Sequence, residues 1–243
     1  MIQVYLLAVG KLRRQMEKIA SAEENIDTTV LPGWDKLAEW QQEKISRCAT
    51  PGARVLCMGG QLLLQYGANE WAACASLMQG ELYKGKKDPI ISWRIIDFER
   101  LPECIPAPQP LEAAYEPKGK PYILYVPWHY NLSHSGDYVA LAISDVPVGI
   151  DIQQMRPYRD SLVKRFFSVE EAVAYENVSS ENIRWRECFF YTLWCRKEAY
   201  GKLLGTGLTE DVLKRNMLED VGVHLYEYGE IPGYRICVCG KEG

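Results

Sequence analysis

Three short stretches in the chain carry polar and charged residues where the surrounding pattern is apolar. In the first, VGIDIQ at residues 148–153, Asp151 and Gln153 share one face because side chains alternate with period two along a strand. A carboxylate in an apolar strand is costly to bury unless it is paired or binds a cation, and two oxygen-bearing side chains suit a hard metal such as Mg²⁺. The competing interpretation, which this stretch alone favours, places Asp151 at a strand end, where it caps the turn at Arg156-Pro157.

The second stretch, WCRKEAYGK at residues 194–202, has helical spacing that puts Glu198 and Lys202 on one side, one turn apart. Such a pair is commonly a surface salt bridge worth roughly 0.2–0.5 kcal/mol. Here the neighbouring aromatic and aliphatic residues indicate a mostly buried helix instead. If Glu198 meets Asp151, the two carboxylates need a divalent cation between them, and Lys197 and Lys202 would neutralise phosphate oxygens on it. The pattern therefore predicts Mg²⁺-assisted chemistry on a pyrophosphate.

The third stretch, NLSHSG at residues 131–136, is interpreted as a polar turn between two strands. Ser133, His134 and backbone amides beside a glycine are good donors to phosphate. A Ser-His hydrolase is the rival interpretation, but adjacent residues diverge and the sequence has no Gly-x-Ser-x-Gly elbow. A plain turn histidine remains a further alternative.

Length and composition bound the class of protein. A chain of 243 residues fits one large domain or two small ones, and 47% hydrophobic and 25% charged residues are ordinary for a soluble globular protein. The sequence has no apolar run approaching the roughly 20 residues of a membrane span, so a membrane protein is not expected. The opening MIQVYLLAVGKLRR has its basic residues after the apolar run, which favours a first strand over a signal peptide and predicts a cytoplasmic protein.

Charge and cysteine usage narrow the class further. The net charge of −4 disfavours a general nucleic-acid binder, so any polyanion must be held by a local cluster. The eight cysteines are scattered without a C-x-x-C motif, and the pair Cys237 and Cys239 is interpreted as two small apolar residues. We therefore expect all eight cysteines to be structural, in a reducing compartment.

Periodicity predicts a mixed α and β fold. Strands are predicted at residues 2–9, 90–98, 122–126, 138–144, 148–153, 221–228 and 234–239, and helices at 35–48, 53–66, 69–79, 159–166, 169–176 and 181–204. The proline-rich segment 101–121 is expected to be a surface loop. Because each half opens with an apolar strand and returns to strands after its helices, we expect two α/β halves, 1–144 and 145–243, divided at the turn near 144–148.

Four motifs in a fixed order resemble those of the 4′-phosphopantetheinyl transferase superfamily, specifically the larger surfactin-synthetase-activating (Sfp) type. They are SHSGDYVALAIS at 133–144, VGIDIQ at 148–153, RFFSVEE at 165–171 and WCRKEAYGK at 194–202. The resemblance spans residues 119–208, beginning with a Gly-Lys-Pro element, while the first hundred residues match loosely. It implies an α+β fold of two similar halves related by a pseudo-twofold, with the active site in the cleft between them, and a monomer.

The resemblance also implies an activity. A member of this family transfers the phosphopantetheine arm of coenzyme A to a serine of an apo acyl or peptidyl carrier protein and releases adenosine 3′,5′-bisphosphate, with Mg²⁺ or Mn²⁺ as the metal. Two other functions stay open: a Mg²⁺-dependent hydrolase of a nucleotide pyrophosphate, and a binding module for coenzyme A or the carrier. Neither nucleic acid nor a membrane is expected as a partner.

Position by position, the resemblance implies roles for the motif residues that face the chemistry. Asp151 and Glu198 would be the metal carboxylates, and Gln153 would add a neutral amide oxygen to the metal site. Lys202 would bind the pyrophosphate and offset charge on the leaving phosphate. Glu171 would help to deprotonate the carrier serine, directly or through water.

The remaining implied roles concern coenzyme A. Ser133 and His134 would hold its phosphates, Lys120 would line the nucleotide site, and Arg54 would reach the 3′-phosphate. Better-known members have Glu where this chain has Gln153, so we expect weaker metal binding with activity retained, because the pyrophosphate supplies anionic ligands of its own.

Carrier proteins of this kind are acidic, so a chain of negative net charge must meet them with a local basic patch. We expect that patch in the segment 155–159, with Arg156 and Arg159, and at Lys164-Arg165.

Overall fold

The computed structural model describes residues 1–20, 31–78, 91–178, 182–219 and 221–241. The strands are β1 (Ile2–Ala8), β2 (Ile91–Asp97), β3 (Ala113–Tyr115), β4 (Pro121–Ile123), β5 (His129–Ser135), β6 (Tyr138–Ser144), β7 (Val148–Gln154), β8 (His224–Tyr228) and β9 (Tyr234–Gly240). The helices are α1 (Gly10–Ala20), α2 (Glu39–Ser46), α3 (Pro51–Met78), α4 (Ser161–Phe166), α5 (Val169–Glu176), α6 (Ile183–Leu204) and α7 (Glu210–Lys214). The predicted mixed α+β class is confirmed.

The first sheet has the strand order β2-β1-β6-β5, with β1 parallel to β2 and antiparallel to β6. Strands β5 and β6 form a hairpin closed by Gly136-Asp137, where Gly136 has a φ of 56° that favours glycine. Helix α3 covers one face of this sheet and approaches it closely, because a Cβ at Gly67 would lie 2.6 Å from the Ile143 side chain. The glycines of α3 therefore let a long helix sit directly on the strands.

The second sheet has the strand order β7-β9-β8 and is antiparallel throughout. Helix α6 packs on it, and a Cβ at Gly149 would overlap the Ala199 carbonyl of that helix. The helix begins where the Asn182 side chain accepts from Trp185 N at 3.1 Å and ends at Gly205, whose φ is 68°. The glycine at 149 thus brings the backbones of β7 and α6 together.

The two sheets share an apolar cluster. Its buried members come from β1 and β6 on one side and from β7, β9 and the turn before β9 on the other: Ile2, Val4, Leu6, Ala140, Ala142, Val148, Ile150, Ile152, Ile231, Tyr234, Ile236 and Val238. The residues between them on β7, beginning with Gly149 and Asp151, point the other way, toward α6. Side chains of Asp151 and Gln153 therefore emerge on the helix side, as period-two alternation predicts.

Strands β5 and β7 are joined by side chains of β5. Asn131 Oδ1 accepts from Ile150 N at 2.9 Å, Ser133 Oγ from Ile152 N at 3.3 Å, and the Ser135 hydroxyl from Gln154 N at 3.0 Å. Every second residue of β5 thus satisfies every second backbone N–H of β7, whose other edge pairs with β9. This ladder connects the two sheets at one edge.

The predicted elements agree with the structure to within about four residues at their ends, except in four places. Residues 79, 90 and 181, at the ends of predicted elements, lie outside the described residues. The prediction of a turn at 131–136 is wrong, because residues up to Ser135 form β5 and use their polar side chains for the ladder. Residues 53–66 and 69–79 were predicted as two helices, and the described part, to Met78, is one helix. The 101–121 segment contains the short strand β3 and the start of β4, and helices α1 and α7 were not predicted.

The turn predicted between residues 144 and 148 lies between β6 and β7. The division of the chain into domains 1–144 and 145–243 stays a prediction. All eight cysteines are free thiols, and Cys237 and Cys239 lie in the same buried cluster as α6. Within the described ranges, no helix has the length and apolar character needed to cross a membrane.

Candidate active site

Asp151 is the centre of a polar cluster between β7 and α6. The residue is 1% exposed, and each carboxylate oxygen accepts at least one hydrogen bond. Oδ1 accepts from Ser133 Oγ at 2.9 Å and from Lys202 Nζ at 2.7 Å, and Oδ2 accepts from Gln153 Nε2 at 3.0 Å. Burial of a carboxylate is costly without such donors, so this cluster explains how Asp151 is tolerated in an apolar strand. The end-of-strand interpretation of Asp151 is wrong.

Lys202 reaches the cluster from the last turn of α6. Its ammonium donates to Asp151 Oδ1, to Ser133 Oγ at 2.9 Å and to the Ile150 carbonyl at 3.1 Å. Ser133 Oγ therefore donates once and accepts from both Lys202 and Ile152 N, which uses the full capacity of a hydroxyl. The Lys202 side chain is still 26% exposed, so its charge can be reached from solvent.

Glu198 lies one helical turn before Lys202 and is half-buried. Burial and the negative charge of Asp151 raise the pKa of Glu198, and the charge of Lys202 opposes that shift. Among the described residues Glu198 has no ion pair, so the alternative of a Glu198–Lys202 surface salt bridge is excluded: Lys202 pairs with Asp151 instead. An unpaired carboxylate beside a second carboxylate is the electrostatic condition that a bound cation relieves.

The donor set fits a hard divalent cation. Mg²⁺ in proteins is commonly held by one or two carboxylates together with substrate phosphates and waters. Asp151 and Glu198 supply two carboxylates, and the Gln153 amide adjoins the first of them. Within the described ranges no cluster of three or more His, Cys, Asp or Glu is arranged to hold a metal by itself. Two carboxylates and one amide are fewer than six ligands, so substrate phosphates and waters would have to complete an octahedral site.

His134 follows Ser133 on β5 and points to the opposite face of the strand, where its side chain is exposed. Partial desolvation of the imidazole ring and, secondly, the positive charge of Lys202 lower the pKa of His134. The imidazole is consequently neutral in the free protein at neutral pH. Its proximity to Lys202 places it at the border of the cluster, whereas the Ser133 hydroxyl lies inside it.

Comparison with known proteins identifies the family. The family model of the 4′-phosphopantetheinyl transferase superfamily matches residues 147–232, which include the strand of Asp151 and the helix of Glu198. The protein slr0495 of Synechocystis sp., which carries the transferase name in provisional form, is 31% identical over 199 residues, covering 77% of this chain and 74% of its own. The chain belongs to the 4′-phosphopantetheinyl transferase superfamily.

Two relatives from Bacillus are transferases by name. The 4′-phosphopantetheinyl transferase psf-1 of Bacillus pumilus is 43% identical over 141 residues, 52% of this chain and 59% of its own length. The 4′-phosphopantetheinyl transferase Sfp of Bacillus subtilis is 32% identical over 141 residues, 50% of this chain and 59% of its own length. The chain thus spans little more than half of these relatives, and 40% of a further Bacillus subtilis transferase.

In this member of the superfamily, two of the predicted coenzyme A contacts lie apart from the cluster. Lys120 donates to the Leu203 carbonyl at 3.0 Å and to the Val148 carbonyl at 3.3 Å, so it joins the end of α6 to the start of β7. Burial lowers the pKa of Lys120, against the opposing charge of Glu116. Arg54 lies in the first turn of α3 and donates from Nε to the Cys48 carbonyl at 3.0 Å. Their roles toward the nucleotide stay predictions.

Glu171, the predicted base, is fully buried. Its Oε2 lies 2.7 Å from Lys197 Nζ and accepts from Ser168 N at 2.8 Å, and its Oε1 accepts from Met217 N at 2.7 Å. The described contacts of Glu171 do not include Asp151, Glu198 or Lys202. Its catalytic role stays a prediction.

Lys197 does not face the cluster. None of its side chain is exposed, and its ammonium is used by Glu171 and by the carbonyls of Leu213 and Arg215. Burial lowers the pKa of Lys197, and the charge of Glu171 opposes that shift. The expectation that Lys197 neutralises phosphate oxygens beside Lys202 is therefore wrong, because the two lysines leave α6 in different directions.

Sequence reasoning missed the residues that support the cluster. Asn131 and Ser135 hold β5 against β7 on either side of Ser133, and their period-two spacing was the available signal. Cys195 packs beneath Asp151 and donates to the Arg235 carbonyl at 3.3 Å. Burial and the charge of Asp151 keep the pKa of Cys195 well above its ordinary value, so this thiol stays neutral under the carboxylate.

Proposed function

We propose that this protein transfers the 4′-phosphopantetheine arm of coenzyme A to a serine of an apo acyl or peptidyl carrier protein and releases adenosine 3′,5′-bisphosphate. The observation that carries the proposal is the arrangement of Asp151, Glu198 and Lys202 around one partly open point between β7 and α6. Two carboxylates and an ammonium at one point suit a metal-bound pyrophosphate. Membership of the superfamily and the names of the Bacillus relatives support the same reaction.

In this proposal Asp151 and Glu198 would hold Mg²⁺ or Mn²⁺, and Gln153 would offer its amide oxygen to the metal. The metal, when bound, supplies neutralisation of the pyrophosphate charge. Gln153 now donates its Nε2 to Asp151, so presenting its oxygen requires a rotation of the amide. A neutral amide gives less attraction than the glutamate of better-known members, which is consistent with a site that relies on substrate phosphates.

Lys202 would act on the leaving group. The serine oxygen attacks the β-phosphorus of coenzyme A and its proton passes to a water molecule. The bond from that phosphorus to the bridging oxygen breaks, and the electron pair passes to the α-phosphate of the departing bisphosphate. The ammonium of Lys202, partly exposed and already oriented by Ser133, is available to offset the charge that develops there. We further propose His134, Lys120 and Arg54 as contacts of the coenzyme A phosphates and nucleotide.

The finer architecture is also a proposal. We infer two similar halves, 1–144 and 145–243, related by a pseudo-twofold, with the substrate in the cleft and a monomer in solution. The support is that the largest sheet of each part is covered by one long helix, α3 on β1 and β6, and α6 on β7 and β9; the two-stranded sheet β3-β4 also lies in 1–144. The ladder between β5 and β7 lies at the junction of the two.

The test is intact-mass spectrometry of an apo carrier protein incubated with this protein, coenzyme A and Mg²⁺. We expect a mass gain of one phosphopantetheine that is lost in Asp151→Ala and in Glu198→Ala. Glu170→Ala, an exposed carboxylate of α5, is the matched control and should retain the gain. Bisphosphate released without a carrier would indicate a hydrolase instead. Coenzyme A binding without turnover, with Mg²⁺ and with Mn²⁺, would indicate a binding module.

A further inference from the structure

Glu171 and Lys197 form an ion pair that has no exposed surface on either side chain. Two charges leave water at a high cost unless they meet each other and their remaining hydrogen-bonding groups are satisfied. Both conditions hold here. The three protons of the Lys197 ammonium have three acceptors, namely Glu171 Oε2 at 2.7 Å, the Leu213 carbonyl at 2.8 Å and the Arg215 carbonyl at 2.7 Å.

The carboxylate side of the pair is equally complete. Glu171 Oε2 also accepts from Ser168 N, and Oε1 accepts from Met217 N. Ser168 is the N-cap of α5 and accepts from Glu171 N at 3.2 Å, so the two residues form a capping box. The Ser-x-x-Glu spacing in RFFSVEE thus has a structural cause that does not involve the reaction.

A general base must come within hydrogen-bond reach of the hydroxyl whose proton it takes. Glu171 is covered on all sides, and a proton on its carboxylate would leave the Lys197 ammonium buried without its counter-ion. Its two carboxylate oxygens instead contact groups from three segments of the chain: the start of α5, the middle of α6, and the turn that follows α7.

We propose that Glu171 and Lys197 are positioning residues, which fix the rotation of α6 so that Glu198 and Lys202 face Asp151. The inference rests on the proposed transferase function, and it replaces the base role that the family resemblance implies for Glu171. Lys197 precedes Glu198 on the helix, so the two side chains leave its axis about 100° apart. A helix tied at Lys197 to Glu171 and to the carbonyls after α7 has no freedom to turn Glu198 away from Asp151.

The experiment compares Glu171→Gln, Lys197→Met and the double variant in carrier modification, with Glu170→Gln as the matched control on the exposed face of the same helix. Either single variant leaves one buried charge unpaired and should slow transfer. The double variant leaves no buried charge unpaired, so its transfer rate should be roughly 2- to 100-fold higher than that of Glu171→Gln. This is the range of coupling measured for contacting residues. The pH at which the rate falls should be the same in the wild type and in the double variant.

A base role gives the opposite result. The double variant would then be as slow as Glu171→Gln while folded and binding coenzyme A, and the inflection in the pH–rate profile would be lost in both. That outcome overturns the proposal. If Glu171→Gln does not fold, the double variant is compared directly with the wild type, because removal of both charges is the better tolerated change.

Hydrogen exchange of the α6 amides separates this inference from the proposed function. Exchange should be faster in Glu171→Gln and recover only in part in the double variant, which has no unpaired charge but also lacks the hydrogen bonds from Lys197 to the Leu213 and Arg215 carbonyls. This holds even if the wild type modifies no carrier, in which case the transferase proposal alone fails. Unchanged exchange in Glu171→Gln would show that the pair does not hold α6 and would overturn the inference.

Discussion

Replacement of Ser133 by alanine tests the ladder and the polar cluster together. Ser133 Oγ accepts from the backbone N–H of Ile152, a residue with no exposed surface, and exchanges hydrogen bonds with Asp151 and Lys202. Without the hydroxyl, the Ile152 N–H is buried with no acceptor, at a cost of about 1–3 kcal/mol. Asp151 and Lys202 keep each other at 2.7 Å, so the loss on that side is partial. We expect the free energy of unfolding to fall by about 2–3 kcal/mol.

Ser135→Ala is the matched control, because Ser135 makes the same type of bond two residues along. Its acceptor oxygen lies 3.0 Å from Gln154 N, but both residues are half-buried, so water can replace the lost hydroxyl. We expect a loss of about 0.5–1 kcal/mol. Urea unfolding measures both losses of free energy when the slope of the free energy against urea concentration is the same in the variants and the wild type. Equal losses in the two variants would refute the reasoning, because burial of the orphaned N–H would then not decide the cost.

Three further predictions concern the metal and the carrier. Gln153→Glu should bind Mn²⁺ roughly tenfold or more tighter, since one added charge about 4 Å from the metal contributes about 1–4 kcal/mol. It should also lower the melting temperature of the metal-free protein, because the Gln153 side chain lies 3.0 Å from the Asp151 carboxylate. A metal titration checks the first effect and a thermal scan the second. Because burial and the charge of Asp151 raise the pKa of Glu198, Mn²⁺ binding should weaken as the pH falls and should release protons. The release is seen as a buffer-dependent binding enthalpy that Glu198→Gln abolishes. Arg156→Glu or Lys164→Glu, both exposed, should slow carrier modification and spare coenzyme A binding in calorimetry; equal loss of both would contradict a carrier patch.

Local periodicity was sufficient for the parts of the site that depend on one element. Alternation along β7 predicted that Asp151 and Gln153 share a face, and the structure joins them by a hydrogen bond. Helical spacing predicted that Glu198 and Lys202 lie on one side of α6. The partner of Lys202 was not predictable in the same way, because it depends on how closely α6 approaches β7.

Residues whose environment is made by distant segments were predicted less well. The direction of Lys197 depends on the Leu213 and Arg215 carbonyls, which no periodicity in α6 can indicate. The strand β5 was interpreted as a turn because Asn131 and Ser133 are polar, and a strand with a polar edge is expected only once a second backbone lies beside it. In both cases the missing information is tertiary.

Strand β7 is held from two directions, and this determines the geometry of the cluster. On one side, the β5 ladder fixes the position of the β7 backbone amides, including Ile152 N. On the other, Gly149 admits the backbone of α6 at a distance that any side chain would prevent, since a Cβ there would meet the Ala199 carbonyl. Only at that separation does the Lys202 ammonium reach both the Ile150 carbonyl and Asp151. The glycine is therefore as much a part of the site as the charged residues, because it sets the distance over which they interact.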